Sequence, residues 1–198
     1  MLSLPNIRVV GLTGMSGAGK STVSGVFGEH SYDIVDCDGI CREIAGREDF
    51  LREVAEKISP RLVTTEGKLD RKLTAQLIFG DAQMRERYNR LIYPYVTYEI
   101  IERIKRAERV LLDAPTLFEA RLEGICTHIA AVVADSELCV KRIALRDGIT
   151  EEAARARLSA QHSADFFREN CGFCIENNSS QEHLIKATKE IIKQLETQ

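Results

Sequence analysis

The residues that most constrain this chain are Gly14-Met15-Ser16-Gly17-Ala18-Gly19-Lys20-Ser21. They lie between the apolar run Ile7-Arg8-Val9-Val10-Gly11-Leu12 and a helical pattern carrying Val23, Val26 and Phe27. A buried strand, a glycine-rich turn and a helix start in this order match the phosphate-binding P-loop spacing, G-x-x-x-x-G-K-S/T. Gly14, Gly17 and Gly19 admit backbone angles closed to residues with a Cβ, so that successive N–H groups turn toward one anion. A helix beginning near Lys20 adds its unpaired N–H groups and the positive end of its dipole. Lys20 then reaches the outer phosphates as a point charge, and Ser21 offers its hydroxyl to a magnesium ion, which prefers oxygen ligands. Ser16, Ala18 and Thr22 are read with these residues as nucleotide-binding.

The remaining strands follow from short apolar runs. Asp33-Ile34-Val35-Asp36 reads as a second buried strand, with Asp36 and Asp38 at its carboxyl end, where open α/β sheets place their ligand crevice. Arg42, four residues after Asp38, shares a helix face with it and can grip an anionic substrate; the plainer role for Asp38 is to cap that helix. Arg109 to Pro115 reads as a third strand with Asp113 at its carboxyl end, placed to hold a magnesium-bound water. Glu119 is a weaker candidate, since loop carboxylates are usually just solvated. Ile129 to Val133 is the fourth strand, followed by Asp135-Ser136 capping a helix. Phe173-Cys174-Ile175 is a short fifth strand, and Leu184, Ile185, Ile191, Ile192 and Leu195 mark a last amphipathic helix. The fold class expected is α/β, a P-loop NTPase-like parallel sheet of five strands with helices on both faces.

Between the second and third strands the pattern is helical from about residue 41 to 107, broken at Ser59-Pro60 and at Thr64-Thr65-Glu66-Gly67. Pro94 is expected to open a helix whose buried stripe is Val96, Ile100, Ile101 and Ile104. This stretch exceeds what a simple crossover requires and reads as an inserted acceptor-binding helical subdomain. Arg71, beside Asp70 at a helix start, faces either the crevice or solvent. Residues 139–168 carry Lys141, Arg142, Arg146, Arg155, Arg157 and Arg168, divided at Asp147-Gly148-Ile149-Thr150 into two helices. Such a segment is either a lid that closes on phosphates or an exposed face salt-bridged to Glu137, Glu151 and Glu152. The chain as a whole reads as one domain with a core of 6–40, 108–138 and 170–198.

Composition narrows the class. With 198 residues, 44% of them hydrophobic and 29% charged, the chain has material for one substantial core. A formal charge of −3 argues against a nucleic-acid coat, and no apolar run approaches the roughly 20 residues of a membrane span. A cytoplasmic protein without nucleic-acid or membrane partners is expected. In that compartment the six cysteines are expected to be reduced, and only Cys171-Gly172-Phe173-Cys174 has metal-like or redox-like spacing.

These signals recur in one order over nearly the whole chain, and in that order the sequence resembles the dephospho-CoA kinase family. Beyond the P-loop with its Gly11-Leu12-Thr13-Gly14 lead-in, the matching pieces are Asp36-Cys37-Asp38 with Arg42, Leu69-Asp70-Arg71 with Ile78-Phe79, and Leu91-Ile92-Tyr93-Pro94. Further along come Asp113-Ala114-Pro115 with Leu117-Phe118-Glu119, Arg142 and Arg146-Asp147 running to Gln161, and Ile175-Glu176-Asn177-Asn178. Tyr93 stands where the family usually has His, Glu176 where it has Asp, and Met15, Ser16 and Ala18 vary its usual loop. The resemblance implies an enzyme that phosphorylates the ribose 3′-hydroxyl of dephospho-CoA with ATP and magnesium. It implies Asp38, Lys20 and Arg146 as catalytic, with Asp38 facing the hydroxyl, and Asn177 near the adenine. Thr13, Arg42, Arg71, Tyr93 and Pro115 would contact the acceptor. A kinase for another nucleotide-like acceptor and a non-catalytic nucleotide-binding regulator are the rival readings.

Overall fold

The structure, a computed structural model, describes residues 7–197. Five strands form one sheet in the order β2-β3-β1-β4-β5, with β1 Arg8–Gly14, β2 Asp33–Asp36, β3 Arg109–Asp113, β4 His128–Val133 and β5 Phe173–Glu176. β1 runs parallel to β3 and to β4, and β4 parallel to β5. A strand buried on both faces is an unbroken apolar run rather than an alternating one, and Val9 to Gly14 of β1 are all buried. The expected five-stranded sheet of an α/β P-loop fold is therefore present.

Two compact units divide the chain. The first, residues 1–35 and 104–198, holds most of the sheet with helices α1 Lys20–Glu29, α6 Ser136–Asp147, α7 Glu151–Ser159, α8 Ala164–Asn170 and α9 Gln181–Glu196. Its core joins Val10, Leu12, Phe27, Leu111 and Val132 to Phe167, Leu184, Ile192 and Leu195. The second unit, residues 36–103, holds α2 Cys37–Ile44, α3 Glu48–Lys57, α4 Arg71–Gly80 and nearly all of α5 Ala82–Ile104.

Three local expectations are corrected. Asp33–Asp36 is not a buried strand: only Val35 is buried and Ile34 is 40% exposed, because β2 is the edge strand and has a neighbour on one side only. Pro94 does not open a helix but lies inside α5. A mid-helix proline costs about 3 kcal/mol. Tyr88, Leu91 and Ile92 ahead of it are buried like Val96, Ile100 and Ile104 behind it, and each buried apolar side chain returns about 1.5–3 kcal/mol, so the continuous helix wins. The arginine-rich segment forms three helices rather than two. The third, α8, is capped by Ser163, whose hydroxyl accepts the Phe166 N–H at 3.2 Å, and is anchored by buried Phe167.

Candidate functional site

The turn between β1 and α1 has the backbone its glycines foretold. Gly14, Gly17 and Gly19 have φ of 134°, 78° and 103°. At Gly14 an added Cβ would lie 2.2 Å from the Val132 carbonyl oxygen of the neighbouring strand, so both conformation and space demand glycine there. The loop is braced from several directions. The Met15 N–H donates to Val132 at 3.1 Å, and the Ala18 N–H closes back on the Met15 carbonyl at 3.1 Å. From the end of β5, the Asn177 amide donates to the Ala18 carbonyl at 2.7 Å.

Charge converges on the same turn. The Lys20 ammonium bonds the Asp113 carboxylate, both side chains being largely shielded, at 20% and 15% exposure. Asp113 ends β3 opposite Leu12 in the parallel register, which is how a residue 93 positions away reaches the loop. Thr13, fully buried, donates its hydroxyl to the Pro115 carbonyl at 3.2 Å and ties the segment after β3 to β1. Arg142 of α6 extends its guanidinium to the carbonyl oxygens of Gly17 and Asn177, at 3.3 Å each. A cavity of about 200 Å³ opens beside these groups, lined by Gly17, Gly19, Thr22, Arg142, Asn177 and Gln181 among others. Arg142 is the cation that borders this cavity, while Lys20 lies at the turn itself; a glycine turn, a helix start and a lysine together are the features by which a backbone holds phosphate oxygens.

The remaining arginines of the basic segment are drawn into ion pairs. Arg146, 59% exposed, forks onto Asp147 at 2.7 and 3.0 Å; Arg157 reaches the same carboxylate, and Arg155 holds Glu137. Hydrogen bonds from the Arg146 guanidinium lead in holding the Asp147 carboxyl below its ordinary range, and Arg155 does the same for Glu137. The salt-bridged reading thus describes Arg146, Arg155 and Arg157, whereas Arg142 turns to the loop.

In the helical unit Asp36 takes the N-cap position of α2, so Asp38 sits in the first turn and is not the cap. Arg42 pairs with Asp36 at 3.0 Å, rather than simply sharing a face with Asp38. The Asp38 charge and, more strongly, burial push the Cys41 thiol up. Asp70 caps α4 by accepting the Leu73 N–H at 2.9 Å, which places Arg71 as the first helical residue, exposed. Tyr93 is half-buried on α5. Among the described residues no cluster of three or more His, Cys, Asp or Glu forms a metal cage. The hydroxyl of Ser21 and the carboxylate of Asp113 are hard oxygen donors, and so few protein ligands suit magnesium, which keeps its waters and leans on phosphate oxygens.

A family model for dephospho-CoA kinase matches residues 8–183. The chain belongs to the dephospho-CoA kinase family. The Enterococcus faecalis dephospho-CoA kinase is 34% identical over 94% of this chain and 96% of its own length. A solved structure of a Thermus thermophilus protein superposes with a TM-score of 0.84 at 30% identity, over 96% of this chain and 99% of that one. The Campylobacter jejuni dephospho-CoA kinase shares the fold, with a TM-score of 0.65 at 21% identity over 96% of this chain and 98% of that one. As in the family, the chain is a kinase of α/β P-loop architecture.

Sequence reasoning gave Arg142 no role of its own and missed the contact that Gln161 makes with the loop. For Arg142 a signal exists, since it precedes Arg146 by one helical turn and shares its face. For Gln161 the family pattern marked the residue, but not its partner, because Ser16 lies 145 residues away.

Proposed function

We propose that this kinase transfers the γ-phosphoryl group of ATP to the ribose 3′-hydroxyl of dephospho-CoA, the last step in making coenzyme A. The observation that carries the reading is the phosphate cradle itself, three left-handed glycines with Lys20 against Asp113, in a chain of this family. In the reaction the 3′-oxygen bonds to phosphorus, the bridge to the β-phosphate breaks with its electron pair leaving on ADP, and the hydroxyl proton passes to Asp38. A base for that proton must come within about 2.6–3.2 Å of the hydroxyl, directly or through one water. Little covalent work is asked of the protein, so positioning and charge carry most of the rate.

On this reading the N–H groups of Gly17, Gly19, Lys20 and Ser21 hold the inner phosphates, and Lys20 leaves Asp113 for the outer ones. Arg146 reaches the phosphates by giving up Asp147. Thr13, Arg42, Arg71, Tyr93 and Pro115 contact the acceptor. Asn177 borders the base pocket through the backbone it braces, its amide being spent on Ala18. A magnesium ion held through Ser21 and, by way of water, Asp113 would neutralise charge on the β- and γ-oxygens. On this reading the enzyme works in the cytoplasm, where its substrates are made soluble by their phosphates.

The test is a coupled assay for ADP release across dephospho-CoA and nucleoside monophosphates, with product mass read directly. Dephospho-CoA should be turned over and gain one phosphoryl group. Asp38→Asn should lower turnover by roughly 10²-fold or more while ATP affinity stays near that of the parent. Transfer to a different acceptor only, or ATP binding with no transfer, would replace the reading by one of its rivals.

A further inference from the structure

Gln161 lies in the short connection between α7 and α8, and its side-chain oxygen accepts the N–H of Ser16 at 3.0 Å. A backbone N–H can only donate, so the atom facing it is the carboxamide oxygen and the NH₂ end points away. The connection that carries Gln161 is firmly seated. Its own N–H donates to Leu158 at 3.1 Å, and the ring of the next residue, His162, stacks on Phe166 with centroids 3.8 Å apart and planes 10° from parallel. Glu119 lies 3.6 Å from His162 Nε2, and Ser163 caps the following helix. A cavity of about 430 Å³, lined by Met15 of the loop and by Arg155, Gln161 and His162, leaves the side chain room to turn.

Ser16 belongs to the phosphate loop, on its strand side, away from the helix start at Lys20. With the N–H groups of Gly17 and of Gly19 to Ser21 given to the inner phosphates, and those of Ala18 and Thr22 closed on the Met15 and Gly19 carbonyls at 3.1 Å each, the Ser16 N–H is the donor left for the outermost one. We propose that Gln161 reads that outermost phosphoryl group: its oxygen fills the Ser16 N–H while the loop is empty, and its NH₂ end donates to the phosphoryl oxygen that displaces it. This rests on the chain being an ATP-using kinase. A charged phosphoryl oxygen is the stronger acceptor and takes the N–H. The terminal torsion of a glutamine is broad and two-fold, so the half-turn that exchanges oxygen for NH₂ is easy. One side chain thereby holds the empty loop and grips the filled one.

The proposal separates two substitutions at one exposed position. Gln161→Ala removes both the competitor and the later donor. Equilibrium binding of ADP and of a non-transferable ATP analogue should then be unchanged or up to roughly fivefold tighter, the equivalent of one net hydrogen bond, while single-turnover transfer slows roughly tenfold. Gln161→Glu puts a charged acceptor on Ser16 that cannot donate, and analogue binding should weaken roughly tenfold. A side chain that merely supported the fold would shift both variants the same way, so a common direction of change in affinity overturns the proposal. So does Gln161→Ala transferring at the parent rate. Thermal melts of both variants check that each is folded. The binding measurements contain no acceptor, so opposed shifts in a protein that transfers nothing to dephospho-CoA would overturn the acceptor reading and leave this one standing.

Discussion

At the scale of single residues, the loop between β1 and α1 depends on side chains far from it in the chain. The Ala18 carbonyl, on a fully buried residue, has the Asn177 amide as a partner at 2.7 Å. Asn177→Ala leaves that acceptor unsatisfied, and a buried polar group without a partner costs about 1–3 kcal/mol. The urea midpoint should fall accordingly, with ATP affinity falling alongside as the loop slackens. Asn177→Asp should cost more than Ala, because it turns a donor into a second acceptor facing the carbonyl. A midpoint unmoved by either change would show that the loop is held by its backbone alone. Lys20 and Asp113 illustrate the complementary case, two largely shielded charges that satisfy each other.

At the scale of elements, helix ends decide where side chains of the helical unit stand. Asp70 accepts the Leu73 N–H with its carboxylate and the Thr74 hydroxyl with its carbonyl, fixing the first turn of α4 on which Arg71 rides. Asp70→Ala should lower stability by about 1 kcal/mol, the usual worth of an N-cap. If Arg71 contacts the acceptor, the KM for dephospho-CoA should rise severalfold while the KM for ATP stays put. A parallel rise in both would mean that α4 supports the whole fold rather than one substrate. The caps of α6, α7 and α8 at Asp135, Thr150 and Ser163 are all made by side chains accepting N–H groups of the first turn. That is why the starts of α6 and α7 could be read from local sequence, while the start of α8, capped in the same way, was passed over. The interior of α5 could not, because the pattern around Pro94 obeys the buried stripe that surrounds it and not the proline's own preference.

At the scale of the whole molecule, burial sets the response to pH. Burial first, and the neighbouring thiol of Cys174 second, pushes the Cys171 thiol up to about 12; burial and Glu123 do the same at Cys126, and burial raises the Tyr88 phenol to about 12. Each group keeps its proton more firmly folded than unfolded. Its contribution to stability is therefore complete below the unfolded thiol range, at about 8.5, and is lost as pH climbs from there toward 12. The urea midpoint should be flat from about pH 7 to 8 and fall progressively above about pH 9, with Cys171→Ser flattening part of the slope. A midpoint constant up to about pH 10.5 would contradict the burial of these thiols. Burial raises the neighbouring Cys174 thiol as well, in the same direction as Cys171.

The amino-acid sequence by itself determined what is local: the phosphate turn, the five strands, the caps of α6 and α7 and the collinear motifs that mark the family. In each of these the deciding interaction spans a few residues, a φ that only glycine tolerates or a side chain reaching the next turn of backbone. Tertiary structure alone decided that β2 is an edge strand, that Pro94 is swallowed by a long helix, and that most of the arginines between α6 and α8 are taken up by carboxylates. It also decided that Arg142, Asn177 and Gln161 meet at Gly17, Ala18 and Ser16. Those partners lie 125, 159 and 145 positions apart along the chain. The parallel sheet brings such residues to one end of β1 only after every strand has found its neighbour, and no pattern within a stretch of sequence records that.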